Sequence, residues 1–375
     1  MPPNSIMNHK IKIAVGMSGG VDSSMAAYLL KKEGYDVTGL TMKIWNDEPS
    51  GGKTGAGACY SAGREKDLDN IREICNKLNI AHYTIPLASE FHHHVLEYFR
   101  NEYLCGRTPN PCIVCNQQIK FALLLARARE TGVDFQYFAT GHYARVEHDK
   151  TSGRSLLKRA FDHEKDQSYF LAFLRQEQLE EVMFPLGKMT KHEVKTLAKK
   201  HGFKTLAESR ESQDFLEDGS YKGLFREEDA RPGPITDAEG NTLGEHSGIV
   251  NYTIGQRKNT GLNGNKEPLY VTAIEAADNT IIVGPKADLF ARGLIAGDLN
   301  WIAIDELTKE MPVQAKIRQQ HEETEAVISP VMHDEEQCVR VKFLHPQMSV
   351  TPGQAVVFYR DDVVLGGGII LQAEK

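Results

Sequence analysis

Apolar positions in the first half of the chain fall into two alternating patterns. Short runs rich in β-branched and aromatic residues, IKIAVG, DVTGLTMKIW, HYTIPL and FQYFATGHY, predict buried strands. Between them apolar residues recur at helical spacing. In REKDLDNIREICNKLN the stripe is Leu68, Ile71, Ile74, Cys75 and Leu78. Gly34 and Gly132 stand where helices should stop. This alternation predicts a parallel sheet with helices on both faces, doubly wound. A further amphipathic stretch, TKHEVKTLAKKHGF, closes this domain near residue 208, giving a first domain over 1–208. The texture then changes to turn-rich sequence over 209–272, where DAEGN marks a hairpin tip. From about Tyr270 the period becomes two. In CVRVKF, Val339, Val341 and Phe343 face one way, and Arg340 and Lys342 the other. VVFYRDDVVLGGGIIL predicts a hairpin turning at Asp361 and Asp362, and 273–375 is expected to form a small antiparallel barrel.

Composition narrows the class. Hydrophobic residues make up 41% and charged residues 25% of 375, an ordinary globular balance. There is no apolar run of membrane-spanning length and no secretory leader pattern, so a cytoplasmic protein that engages no membrane is expected. The net charge of −7 argues against a uniformly basic nucleic-acid coat, but leaves room for a local basic channel. Six cysteines are too few for a disulfide framework and read as thiols, metal ligands or catalytic groups.

Two stretches carry candidate chemistry. Gly16-Met17-Ser18-Gly19-Gly20-Val21-Asp22-Ser23 lies where the first strand hands over to the first helix. Glycines let a ligand approach the backbone, and serine hydroxyls and unbonded amides at a helix start donate to anions. It is neither a P-loop, since no lysine precedes the serines, nor a GxGxxG fingerprint. Taken alone it is equally a tight strand–helix turn. The second stretch is GRTPNPCIVCNQQIKF. Its two prolines predict an extended loop, with helix resuming at about Asn116 and Cys115 near the helix start, a place that lowers a thiol's pKa. A structural zinc half-site, a dithiol redox pair and a sulfur-handling or iron–sulfur site all suit this spacing; the zinc reading lacks a second Cys-x-x-Cys.

The string S-G-G-x-D-S resembles the pyrophosphate loop of N-type ATP pyrophosphatases, which cleave ATP between its α and β phosphates. With GRTPNP, CN, IKF, ATGHYAR, KDQSYFL, LGEHSG, YTIGQRK and PGQAVVFY in this order, the chain resembles the tRNA-specific 2-thiouridylases from Lys12 to Leu371. The resemblance implies an adenylating domain, a small central tRNA-binding domain and a C-terminal β-barrel. It implies ATP and Mg2+ as cofactors, with the anticodon stem-loop of tRNAs bearing a wobble uridine as substrate. A sulfur-donor protein or inorganic sulfide would supply the sulfur. Carried across, Gly16 to Ser23 would bind ATP with Met42 and Gly141. Asn110, Pro111 and Cys112 would lie against the target base, and Cys115 would be catalytic. His142, Lys165, Asp166, Gln167, Arg318 and Gln354 would contact tRNA. His142 and Arg318 also have plain readings, as a hydrogen-bonded strand-end histidine and a solvated barrel residue.

Two departures stand out. The family's second catalytic cysteine has no counterpart in ESRESQDFLEDGSYKGLF, and Cys112 stands where aspartate is usual. Cys112 and Cys115 are therefore expected either to ligate a [4Fe-4S] cluster with a third cysteine, Cys59 or Cys105, or to work as a persulfide and its resolving neighbour. Cys75 reads as core, Cys338 as barrel structure, and His92–His94 as a surface helix. An amidating ATP pyrophosphatase and a non-catalytic RNA-binding relict are the competing functions.

Overall fold

The computed structural model describes residues 10–45, 64–208, 224–262 and 267–375. The chain forms two compact units. The first unit is built on a parallel sheet in the order β3-β2-β1-β4-β7. Its strands are β1 (Lys12–Gly16), β2 (Asp36–Lys43), β3 (Ala81–Pro86), β4 (Tyr137–Ala139) and, after a hairpin of β5 (Arg145–His148) with β6 (Ser155–Lys158), β7 (Val182–Met183). The four expected strands are present; β7 is too short to show a period in the sequence. Helix α1 (Val21–Lys32) follows β1, and α2 (Arg64–Leu78) covers the sheet with Ile71, Ile74 and Cys75 buried. Cys75 is 1% exposed, and burial pushes its thiol up to about 11. Gly34 and Gly132 end helices with φ of 94° and 86°.

Within the second unit lie two β assemblies. Strands β8 (Gly233–Thr236) and β9 (Thr242–His246) form the hairpin around DAEGN. They join β10 (Tyr270–Glu275) and β11 (Thr280–Gly284) in the order β10-β11-β8-β9, with β8 and β11 parallel. This central sheet thus runs through Gly284, beyond residue 272, because β11 pairs with β8 and carries β10 on its other edge. The helix Glu97–Leu104 packs Phe99 and Tyr103 into its core, and Arg100 grips Asp229 with two bonds of 2.9 and 2.8 Å.

The barrel follows. Its strands are β12 (Phe290–Trp301), β13 (Met311–Lys316), β14 (Thr324–His333), β15 (Glu336–Met348), β16 (Ala355–Arg360) and β17 (Val363–Glu374). They pair antiparallel as β12-β15-β14-β13-β16-β17, and β17 returns to β12. Closure removes the open edges that a six-stranded sheet would otherwise present. Val339, Val341 and Phe343 point into the core and Arg340 and Lys342 out, as the period of two requires. Asp361 takes φ 53° at the hairpin turn. Among the described residues no helix is long and apolar enough to cross a membrane.

Candidate active site

Strands β1, β2 and β4 are parallel, so their carboxyl ends share one edge of the sheet. The loop Met17–Gly20 leaves β1 there. Gly19 has φ +80°, a conformation that disfavours side chains. Gly20 is the N-cap of α1 and supplies no side-chain cap, so the first-turn amides face the loop unassisted. Ser23 Oγ accepts from Ser18 N–H at 3.2 Å and lies 3.2 Å from Ser18 Oγ. Ser24 Oγ donates to Gly20 O at 2.8 Å. Serines thus set the loop's curvature. Met42 closes β2 half-buried, and Thr41 holds the loop by donating to Met17 O at 2.9 Å. Gly141 follows β4. A Cβ there would stand 2.6 Å from Asp22 C and from Ser23 N, so only glycine lets this segment lie on the loop. Loop, Met42 and Gly141 therefore occupy the same edge of the sheet.

Asp22 is not turned toward this edge alone. Lys191 Nζ meets both its oxygens at 2.9 and 2.7 Å, and Tyr143 OH donates to it at 2.9 Å. Lys191 is 7% exposed and opens the helix Lys191–Lys200, whose N-cap Thr190 makes a full capping box with Glu193. Neither Lys191 nor Tyr143 is among the site residues expected from the sequence. The capping-box pattern T-x-x-E was a signal for the helix start, but nothing in the linear order joins residue 191 to residue 22.

His142 packs in a three-ring cluster with Phe121 and Phe184, with Nδ1 2.7 Å from Thr140 Oγ1. Burial, and secondarily the Lys120 charge, hold its imidazole well below the ordinary value, hence neutral. Gln167 exchanges hydrogen bonds with Tyr143, backbone to backbone at 2.8 Å and Tyr143 N–H to its Oε1 at 3.0 Å. Asp166 is buried; it accepts from Ala160 N–H, Ser168 N–H and Ser168 OH at 2.9, 3.3 and 2.7 Å. Its carboxylate shapes the turn that displays Lys165 and Gln167.

The cysteine segment lies largely in the second unit. Helix starts at Pro111, not at Asn116 as the prolines suggested. Pro111 occupies the first helical position, where its missing N–H costs nothing, and Asn110 caps it. The helix, α3, comprises Pro111–Val114, a π-helical stretch Cys115–Leu123, and Leu124–Glu130. Cys112 and Cys115 are both half-buried and stand three positions apart, on one face. Cys112, not Cys115, is the thiol nearer the helix start. Gln354 donates to the carbonyls of Thr108 and Pro109 at 2.8 and 3.1 Å. Arg318 is half-buried, and burial lowers its pKa; its Nη2 donates to Met348 O at 3.2 Å. Cys105 is exposed and Cys338 buried. His92 and His93 are exposed on a π-helical turn beside Glu97, and among the described residues no three metal-ligating side chains converge. Cys59 and most of the stretch lacking the second cysteine lie outside the described residues.

Three family models cover the chain: a tRNA methyl transferase HUP domain over residues 11–216, a tRNA methyl transferase PRC-barrel domain over 224–285 and an aminomethyltransferase beta-barrel domain over 291–370. A tRNA-specific 2-thiouridylase of Thermoanaerobacter sp. (strain X514) is 48% identical over 96% of this chain and 97% of its own length. The chain belongs to the tRNA-specific 2-thiouridylase family. A thiouridylase of Endomicrobium trichonymphae is 46% identical over 97% of this chain and 100% of its own. The resemblance read from separated motifs thus extends over the whole thiouridylase length, and the family's three segments match the parallel-sheet, mixed-sheet and barrel assemblies described above.

Proposed function

We propose that this chain is an ATP-dependent tRNA 2-thiouridylase, acting on the wobble uridine of the anticodon loop. The observation that carries the reading is the glycine–serine loop at the carboxyl edge of the parallel sheet, in a chain matched along its length by thiouridylases. The loop amides and the α1 start receive the ATP phosphates, and Met42 and Gly141 bracket the nucleoside. The uracil 2-oxygen attacks the α phosphate, its bond to phosphorus forms, and pyrophosphate leaves. Donors fixed in the loop stabilise charge on the departing oxygens without reorganising. Asp22 retains lone pairs beyond those met by Lys191 and Tyr143. It suits the single protein carboxylate typical of nucleotide-bound Mg2+, which would supply charge neutralisation on the phosphates.

A sulfur nucleophile then attacks C2, and the former 2-oxygen departs with AMP. Cys112 and Cys115 deliver that sulfur, with Asn110 and Pro111 against the base. His142, Lys165, Asp166, Gln167, Arg318 and Gln354 contribute to tRNA binding, by contact or, for Asp166, by shaping the contact turn. Two thiols one helical turn apart fit two corners of a [4Fe-4S] cluster, with Cys59 as the third ligand; such a cluster would hold a sulfide at its open iron. The same spacing suits a persulfide resolved by its neighbour, which is the reading that remains should active enzyme contain no iron.

The test supplies unmodified tRNA, ATP and Mg2+ anaerobically, with sulfide in one arm for the cluster route and a persulfide-bearing sulfur-donor protein in the other for the persulfide route, and measures 2-thiouridine by nucleoside mass spectrometry. Wild type should form it with stoichiometric AMP, whereas Cys115→Ser and Cys112→Ser should not. Ammonia incorporation into a small acceptor would favour the amidating alternative, and no tRNA-dependent AMP would favour a binding protein. Iron and labile-sulfide analysis of the same preparation decides between cluster and persulfide.

A further inference from the structure

Phe161 is the most exposed large apolar side chain among the described residues, at 65%. An exposed apolar residue alone means little. This one stands on a turn whose backbone is fixed at three points. Its own N–H donates to Gly187 O at 2.9 Å. The N–H before it, of Ala160, donates to the buried Asp166 carboxylate at 2.9 Å, and the Asp162 carboxylate after it accepts from Lys191 N–H at 2.8 Å. Gly187 in turn lies directly on the segment that follows β4, since a Cβ there would collide with Ala144 O. Gln167 ties the turn to the same segment through its two bonds to Tyr143. Segments 141–144, 160–168 and 184–187 thus form one braced patch, which carries His142, Lys165 and Gln167. Of the turn's three acids, Asp162 and Asp166 accept from backbone N–H groups and Glu164 alone is exposed, while Lys188, next to Gly187, is an exposed cation. The patch also reaches the nucleotide loop, because Tyr143 OH and Lys191 Nζ both bond Asp22.

We propose that Phe161 is a stacking platform for an unpaired base of the tRNA anticodon loop, beside the wobble uridine. A phenyl ring has no polar handle and offers a partner only its π-face and edge. Unstacked RNA bases are held on such rings, because every base has a π-face of its own. Lys165 and Lys188, on the two segments joined at Phe161, supply cations for the adjoining phosphates. The turn is already fixed, so stacking demands no ordering of its backbone. Because the patch is braced on Asp22 through Tyr143 and Lys191, the base it receives belongs to the loop that carries the uridine being adenylated, not to a distant stem. The inference rests on the reading of this chain as a tRNA thiouridylase whose Lys165 and Gln167 contact the substrate.

The probe is an unmodified anticodon stem-loop with a wobble uridine, titrated against the full chain by filter binding. Phe161→Ala should weaken binding about tenfold. Phe161→Leu keeps apolar bulk without a π-face and should stay within about twofold of Phe161→Ala, whereas Phe161→Trp should stay within about twofold of wild type. The slope of log affinity against log salt should not change in Phe161→Ala and should fall by about 0.7 in Lys165→Gln. KM for tRNA in thiolation should rise about tenfold with kcat kept, as for a contact made equally in the ground and transition states. ATP affinity and melting temperature of Phe161→Ala should match wild type, because the ring faces solvent. Abasic nucleotides placed one at a time around the loop should include one position that weakens wild-type binding about tenfold and Phe161→Ala binding not at all.

Wild-type affinity in Phe161→Ala, or the lack of any abasic position that silences the substitution, would overturn the inference. So would full binding by Phe161→Leu, the mark of an apolar contact without stacking. Self-association of wild type that Phe161→Ala abolishes, with stem-loop binding equal in both, would assign the ring to a protein interface instead. If wild type neither binds the stem-loop nor thiolates tRNA, the underlying tRNA reading fails. Normal thiolation by wild type beside an unaltered Phe161→Ala would sink only the platform.

Discussion

Lys191 and Asp22 form the ion pair on which the nucleotide loop leans, and truncating either leaves a charge uncompensated. A fully buried pair broken on one side costs roughly 3–5 kcal/mol. The Asp22 side chain is 32% exposed, so solvent screening reduces this to about 1–3 kcal/mol for Lys191→Met. Urea unfolding should report that loss, and calorimetric titration should show ATP affinity weakened about tenfold or more as the loop shifts. Gly141→Ala forces a Cβ onto loop backbone 2.6 Å away. Overpacking of this kind costs about 1–3 kcal/mol, and here it should appear mainly as lost ATP binding. His142 provides a pH signature. Its folded-state pKa lies below the unfolded value of about 6.5, so its contribution is complete above that value and is lost as pH falls toward the folded one. Urea midpoints should therefore decline on acidification below about pH 6.5, and His142→Gln should flatten that decline. The Lys191–Asp22 pair was not legible in the sequence, because it joins residues far apart in the chain, whereas Gly141 was expected beside the loop from its place at a strand end. The loop itself was legible, since glycine and serine types report backbone geometry locally.

Among the elements, the helix Lys191–Lys200 shows how a local signal acquires a distant consequence. Its capping box should be worth about 1 kcal/mol, read from urea unfolding of Thr190→Ala. The same substitution frees the helix start that presents Lys191, so ATP affinity should fall with it. The amphipathic period and the T-x-x-E signature were visible in sequence. The cysteine helix was read less well: Pro111 was taken as a bar to helix, although proline suits a first helical turn and Asn110 was available to cap it. Strand β7 escaped because two residues carry no periodicity. Strands β10 and β11 were legible as strands, but the pairing of β11 with β8 was not, since pairing across a long connection has no local mark.

For the molecule as a whole, a net charge of −7 must coexist with tRNA binding, so the cations that matter are placed, not merely numerous. Arg318→Gln should weaken tRNA binding for every sequence alike and lower the slope of log affinity against log salt by about 0.7–1, measured by filter binding over a salt series. Residue types and their periods determined, without coordinates, the parallel-sheet domain, the turn-rich centre, the antiparallel barrel and the glycine–serine turn between β1 and α1. Those features are local or periodic, and each is encoded by the residues that form it. Tertiary structure alone decided that Lys191 neutralises Asp22, that Asp166 is buried, that Cys112 lies nearer the helix start than Cys115, and that Tyr169 reaches Ala355. Such contacts arise when burial brings distant segments within hydrogen-bond reach, and a linear order does not record that proximity.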